Sequence, residues 1–168
     1  MKAQFINPFV SAAYQVLETE VGAKIERGRL ALQESRFTGH DITVLIGVTG
    51  QLRGIVMYSM NEGTARSLIE VMLGQSVEEF DSLAESGIGE LGNVITGLAG
   101  SELERLGYIV KITPPTIVRG KDAVISTVNL KRLVIPLVTQ YGPIEIGVAL
   151  EECPKPTSSC VVPLARNQ

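Results

Sequence analysis

The chain has 168 residues, of which 45% are hydrophobic, 20% charged and 5% aromatic, with no tryptophan. That is the length of one domain, with a sizeable core built from Val, Ile, Leu and Ala. A net charge of −3 offers no basic stripe of the kind nucleic-acid binding wants, and no segment reaches the ~20 apolar residues that span a membrane.

An uncharged run from Ala3 to Leu17 follows Lys2, but Asn7-Pro8 and Gln15 interrupt it, so it reads as a helix rather than a leader. Asn7 followed by Pro8 predicts the helix start, an Asn cap with Pro at the first helical position. Val10, Tyr14, Leu17, Val21 and Ile25 recur at spacings of four, three, four and four, which predicts a core-facing helix over 8–26. From Arg29 the period shortens, and 29–37, 41–49 and 53–60 read as strands punctuated by Gly28, Gly39 and Gly50. "DITVLIGV" and "GIVMYSM" flank "TGQLRG" as a hairpin with a loop of four to five residues.

"NEGTARSLIEVMLG" is a second helix over 61–73, capped by Asn61 and closed by Gly74. The acidic loop "QSVEEFD" leads into "SGIGELGNVITGLAG", residues 86–100. Beyond it, strands fall near 108–112, 116–119, 124–128, 130–139 and 143–150, with a break at Pro114-Pro115 and a hairpin at "TQYGPI". Consecutive strands that outnumber the helices predict an α+β fold, an antiparallel sheet covered by three helices, over residues 1–151. Residues 152–168 lack periodicity and read as a flexible tail. Its Cys153 and Cys160 could close a small loop, but incidental thiols are the simpler reading, and a cytoplasmic setting fits.

The glycine stretch matches G-x-G-x-x-G at Gly87, Gly89 and Gly92. A dinucleotide loop should follow a buried strand and have an acidic residue about 20 positions on. Here "EEFDSLAES" precedes it, and no Asp or Glu lies between Arg105 and Lys121. The helix alternative fits better. Ala84, Ile88, Leu91, Ile95 and Leu98 form an apolar stripe that Leu103 and Leu106 continue, predicting a helix over 81–106. Five glycines, counting Gly97 and Gly100, cost such a helix about 4–5 kcal/mol of propensity. Tertiary packing must offset that, and close approach of another backbone would explain the glycines.

Glu90 lies two positions from Ile88, about 200° around the helix, and so points away from the core. Ser86, Glu90, Asn93, Gly97 and Gly100 make a second stripe, polar in its first half and without side chains in its second. By spacing alone Glu90 and Asn93 could be an ordinary solvated face. Other candidates are thin: His40 is the only histidine and sits in a loop, Lys121-Asp122 reads as a turn, and Glu78, Glu79 and Asp81 solvate a loop.

Ser86-x3-Glu90-x2-Asn93, followed after 21 residues by Pro115, resembles the signature of the CheC/CheX/FliY phosphatases. A single Glu-x2-Asn motif, the opening "FINPFVSAAYQVLET" and the closing "GPIEIGVALEE" are similar to the CheX branch. The resemblance implies hydrolysis of the aspartyl phosphate of a CheY-type response regulator, with Asn93 orienting water and Glu90 engaging the receiver's lysine. It also implies supporting roles for Ser86 and Pro115 and a homodimer through sheet edges, while the bare stripe at Gly97 and Gly100 offers a flat landing surface for partner docking. Mg²⁺ would belong to the receiver, with no cofactor or metal on this chain. The alternative is a non-catalytic module that docks a receiver or a flagellar-switch component.

Overall fold

The computed structural model describes residues 2–33, 36–38 (backbone alone), 40–121, 123–127 and 129–154. The first half runs α1 (Ala3–Val21), β1 (Glu26–Arg27), β2 (Ala31–Gln33), β3 (Arg36–Thr38), β4 (Ile42–Gly50), β5 (Leu52–Met60) and α2 (Glu62–Leu73). The second runs α3 (Ser82–Arg105), β6 (Val110–Ile112), β7 (Thr116–Arg119), β8 (Val124–Ser126), β9 (Arg132–Thr139) and β10 (Gly142–Glu152). β1, β9, β10, β5, β4 and β6 lie side by side in that order, β2 also pairing with β9 and β7 with β4. Every pairing is antiparallel, as the succession of strands predicts, and β3 and β8 form a separate two-stranded sheet.

Alternation places the core. Ile42, Val44, Ile46 and Val48 of β4 share one face with Val56, Tyr58 and Met60 of β5 and Ile144, Ile146 and Val148 of β10. All three helices bury apolar residues in this cluster, among them Phe9 and Leu17 of α1, Leu68 of α2 and Ile88 of α3. On the opposite face Thr43 Oγ1 and Ser59 Oγ, both buried, meet at 3.1 Å and satisfy one another.

The first helix differs from expectation at both ends. It begins at Ala3, so Asn7 and Pro8 lie inside it rather than starting it. Pro8 cannot donate to the Gln4 carbonyl; burial of Phe5, Ile6 and Phe9 outweighs that loss and extends the helix by more than a turn. It stops at Val21 because Gly22 turns left-handed (φ 61°) and donates to Glu18 O, while Ala23 N–H donates to Leu17 O at 3.1 Å.

The starts of α2 and α3 fall where expected, but the single strand expected over 29–37 does not form: β2 pairs with β9 in the large sheet and β3 with β8 in the small one. Asn61 Oδ1 accepts the Thr64 N–H at 2.7 Å and Asp81 Oδ1 accepts that of Ala84 at 2.9 Å, capping α2 and α3. Pairing of Val48 with Gly54 ends the β4–β5 ladder, leaving the five connecting residues that the sequence spacing predicts. Gly54 is obligatory: at φ 145°, an added Cβ would stand 1.9 Å from Ala149 O. β10 reaches Glu152, and Cys153 N–H donates to Gln51 O at 2.9 Å, so the sheet takes up the first residues of the expected tail. Residues 155–168, and with them any Cys153–Cys160 loop, lie outside the described residues.

Candidate functional site

α3 lies against β4, β5 and β6 on one side and α1 and α2 on the others, so more than one face of it is covered. Ala84, Ile88, Leu91 and Ile95 are buried as expected, but the stripe then continues through Ala99 and Leu103, with Leu98 half-buried and Leu106 exposed. A second buried line, Gly92 and Thr96, faces the sheet. Tyr58 Oη lies 2.8 Å from Thr96 Oγ1, which itself donates to Gly92 O at 2.8 Å. Since the single Thr96 proton goes to Gly92 O, Tyr58 is the donor in the first bond. Burial pushes the Tyr58 hydroxyl well above its ordinary range, keeping it protonated. The five glycines thereby separate by role. A Cβ on Gly92 would come within 3.1 Å of both Tyr58 and Val44, and one on Gly87 within 2.7 Å of Ile69 Cδ1.

The remaining face carries the motif. Ser86 and Glu90 are exposed and Asn93 half-buried, one turn beyond Glu90. Neither Glu90 nor Asn93 has a side-chain hydrogen bond or ion pair among the described residues. Gly97 and Gly100 are half-buried beside β6, where added Cβ atoms would find Ile112 Cδ1 at 4.0 Å and Val110 Cγ2 at 3.6 Å. Those are ordinary contact distances, so none of the described residues demands glycine at either position.

Pro115 reaches this helix through a bulge. β6 and β7 both pair with the same edge of β4, but Val48 opposes Ile112 while Leu45 opposes Thr116. One extra residue therefore sits between them, at Thr113-Pro114-Pro115. Prolines have no N–H for the ladder and are tolerated at such an edge interruption. Thr113 holds the bulge, its N–H donating to Gly47 O and its Oγ1 accepting the Gly47 N–H, each at 2.9 Å. The displaced chain brings Pro115 Cγ to 3.4 Å and Ile117 Cδ1 to 3.5 Å from where a Gly89 Cβ would be.

The result is an open groove of about 440 Å³ lined by Ser82, Glu85, Ser86, Gly89, Glu90, Pro115 and Ile117. In it Ser86 and Glu90 of α3 meet Pro115, which comes from outside the helix, with Asn93 just beyond. Glu85 and Ile117 were not candidates from sequence, nor was Arg119, whose Nη1 donates to Glu85 Oε1 at 3.1 Å. Only Thr96 gave a signal, as a polar residue in mid-helix that asks for a partner. His40 is exposed, with Nε2 3.8 Å from Glu145 Oε2, on no part of this groove.

Comparison with known proteins decides the family. Residues 42–138, from β4 to β9 and containing all four motif positions, match the family model described as chemotaxis phosphatase CheX. The chain belongs to that family. It is 34% identical over 128 residues to the CheY-P phosphatase CheX of Thermotoga maritima, covering 76% of this chain and 83% of that one. A CheC-like superfamily protein from Shewanella sp. PV-4 superimposes with a TM-score of 0.82 at 29% identity, over 90% of this chain and 99% of the other. A chain of the CheX–CheY–BeF3–Mg²⁺ complex from Borrelia burgdorferi gives 0.77 at 26% identity, over 88% and 98%.

Proposed function

We propose that the chain hydrolyses the aspartyl phosphate of a phosphorylated CheY-type response regulator, using the α3 groove. The observation that carries this reading is the meeting of Ser86, Glu90 and Pro115 in one groove, with Asn93 a turn away and the Glu90 and Asn93 side chains uncommitted. Its relatives include a CheY-P phosphatase and a chain solved in complex with CheY. An acyl phosphate is already reactive, so a helper gains most by orienting water, with no nucleophile of its own. Asn93 holds that water in line with phosphorus: its amide both accepts and donates while staying neutral beside the phosphoryl oxygens. Glu90 pairs with the receiver's lysine and so fixes the register of docking.

Ser86 and Pro115 border the groove and shape the approach, and the bare backbone at Gly97 and Gly100 receives the partner's surface. Mg²⁺ belongs to the receiver's own acidic pocket; this chain's residues contribute orientation and charge. The reading also includes a cytoplasmic homodimer joined through sheet edges, such as that of β2, where Leu32 is exposed. No helix among the described residues is long and apolar enough to cross a membrane.

The test is direct. A CheY-type receiver is loaded with acetyl phosphate, the protein is added and phosphate loss is followed. Acceleration by the wild type, reduced about 100-fold or more in Asn93→Ala and Glu90→Ala with unchanged thermal melting, is expected. Binding without acceleration would instead favour a docking module.

A further inference from the structure

Two carboxylates, Glu85 and Glu90, line the groove beside Pro115, and their surroundings differ. Glu85 Oε1 accepts from Arg119 Nη1 at 3.1 Å, whereas Glu90 makes no ion pair among the described residues. Arg119 is well fixed for this. Its guanidinium carbon lies 5.3 Å from the centroid of the Phe80 ring, which is itself buried, and its Nη2 stands 3.8 Å from Glu62 Oε2 at the start of α2. One cation at the end of β7 thus holds the first turns of both α2 and α3.

We propose that Arg119 is a specificity-determining residue that occupies Glu85 and leaves Glu90 as the one carboxylate of the groove open to a cationic side chain of the partner. This rests on the role given to Glu90 above. An unneutralised Glu85 would lie about 7.5 Å farther back along the helix axis, within a Debye length of about 8–10 Å. It would draw the same ammonium toward itself. Lysine is a compact charge on a flexible stem, so a competing carboxylate captures it readily and seats the receiver away from Asn93. Misregistered docking of that kind lowers kcat without raising KM.

The experiment measures steady-state phosphate loss from an acetyl-phosphate-loaded receiver with the full chain. Arg119→Met should lower kcat about fivefold, with KM unchanged or lower. Arg119→Met/Glu85→Gln should recover to the level of Glu85→Gln alone, above that of Arg119→Met, since the competing charge is gone. Arg119→Gln, which keeps a polar contact to Glu85 but removes the charge, should behave as Arg119→Met and serves where the latter melts early. A wild-type kcat in Arg119→Gln, or a double variant no better than the single, overturns the proposal; in the second case Arg119 acts by holding β7. Should the wild type fail to accelerate phosphate loss, or Glu90→Ala leave it unchanged, the reading of the groove falls and this inference with it.

Discussion

Gly92 lies flat against Tyr58: a Cβ at position 92 would stand 3.1 Å from Tyr58 Cδ2 and equally close to Val44 Cγ1. Neither neighbour can give way. Val44 is fully buried in a central strand, and the Tyr58 hydroxyl is held by Thr96. Gly92→Ala gains about 1 kcal/mol of helix propensity and loses about 1–3 kcal/mol to overpacking. The expected sum is a loss near 1 kcal/mol, read from urea unfolding, with α3 and its motif displaced and activity reduced.

Gly97 and Gly100 should behave in the opposite way. Alanine fits at both, so the double variant keeps its fold and gains about 1–2 kcal/mol, a Tm rise of roughly 3–6 °C. If the partner docks there as proposed, activity toward a phosphorylated receiver should nonetheless fall, because the added methyls would obstruct its surface. A variant that is more stable and equally active would remove the docking role from these positions.

The brace beneath the motif predicts an asymmetry. Tyr58→Phe removes one donor and leaves Thr96 bonded to Gly92 O, a loss of about 1 kcal/mol. Thr96→Val strands the buried Tyr58 hydroxyl and costs about 1–3 kcal/mol. Chemical denaturation of the two single variants and the double separates these contributions. The double variant should cost less than the sum of the singles, since no hydroxyl is then left unsatisfied.

How far the sequence reveals this molecule depends on how local the determining contacts are. α2 and α3 are legible because Asn61, Gly74 and Asp81 act within one turn, and β4, β5, β9 and β10 because apolar runs lie between turn signals; the stretch 29–37 is not, since its two halves pair in different sheets. At the start of α1 the local rule for Asn7-Pro8 is outweighed by burial of Phe5, Ile6 and Phe9, which tertiary packing creates. Glu90 and Asn93 were legible as residues facing away from the core. The groove was not, because it needs Pro115 brought across by a bulge whose register is set on β4. Arg119 and Glu85 were invisible for the same reason, as their pairing joins β7 to α3 across 34 residues of sequence.

Asp41 ties the entry of α2 to pH. Its Oδ2 accepts the Glu62 N–H at 3.0 Å, and Lys121 Nζ lies 3.6 Å from its Oδ1. The Glu62 N–H, then the Lys121 charge, hold the carboxyl below its ordinary 3.8. A folded value below the unfolded one gives stability that is present above pH 3.8 and lost as pH falls through the folded value. Asp41→Asn should therefore lower Tm at neutral pH, and its deficit against wild type should shrink below about pH 4. Melting curves of both proteins across that range check this, and a deficit that grows with acid would reverse the assignment.

Asn93→Asp is the sharpest probe of the site's chemistry, because it changes charge and donor character with almost no change in shape. The carboxylate loses the amide's two donors and becomes acceptor-only when ionised. It would also face the phosphoryl oxygens, where like charge is repelled. A purely steric role for position 93 predicts an active Asn93→Asp variant. A water-orienting amide predicts loss at least as deep as in Asn93→Ala, about 100-fold or more. The position is half-buried on the helix face turned from the core, so both variants should melt like wild type. Lowering the pH to protonate the new carboxyl should return part of the Asn93→Asp activity, since a neutral acid can again donate, and should return none to Asn93→Ala. Activity in Asn93→Asp equal to wild type at neutral pH would mean that the amide does not orient the attacking water.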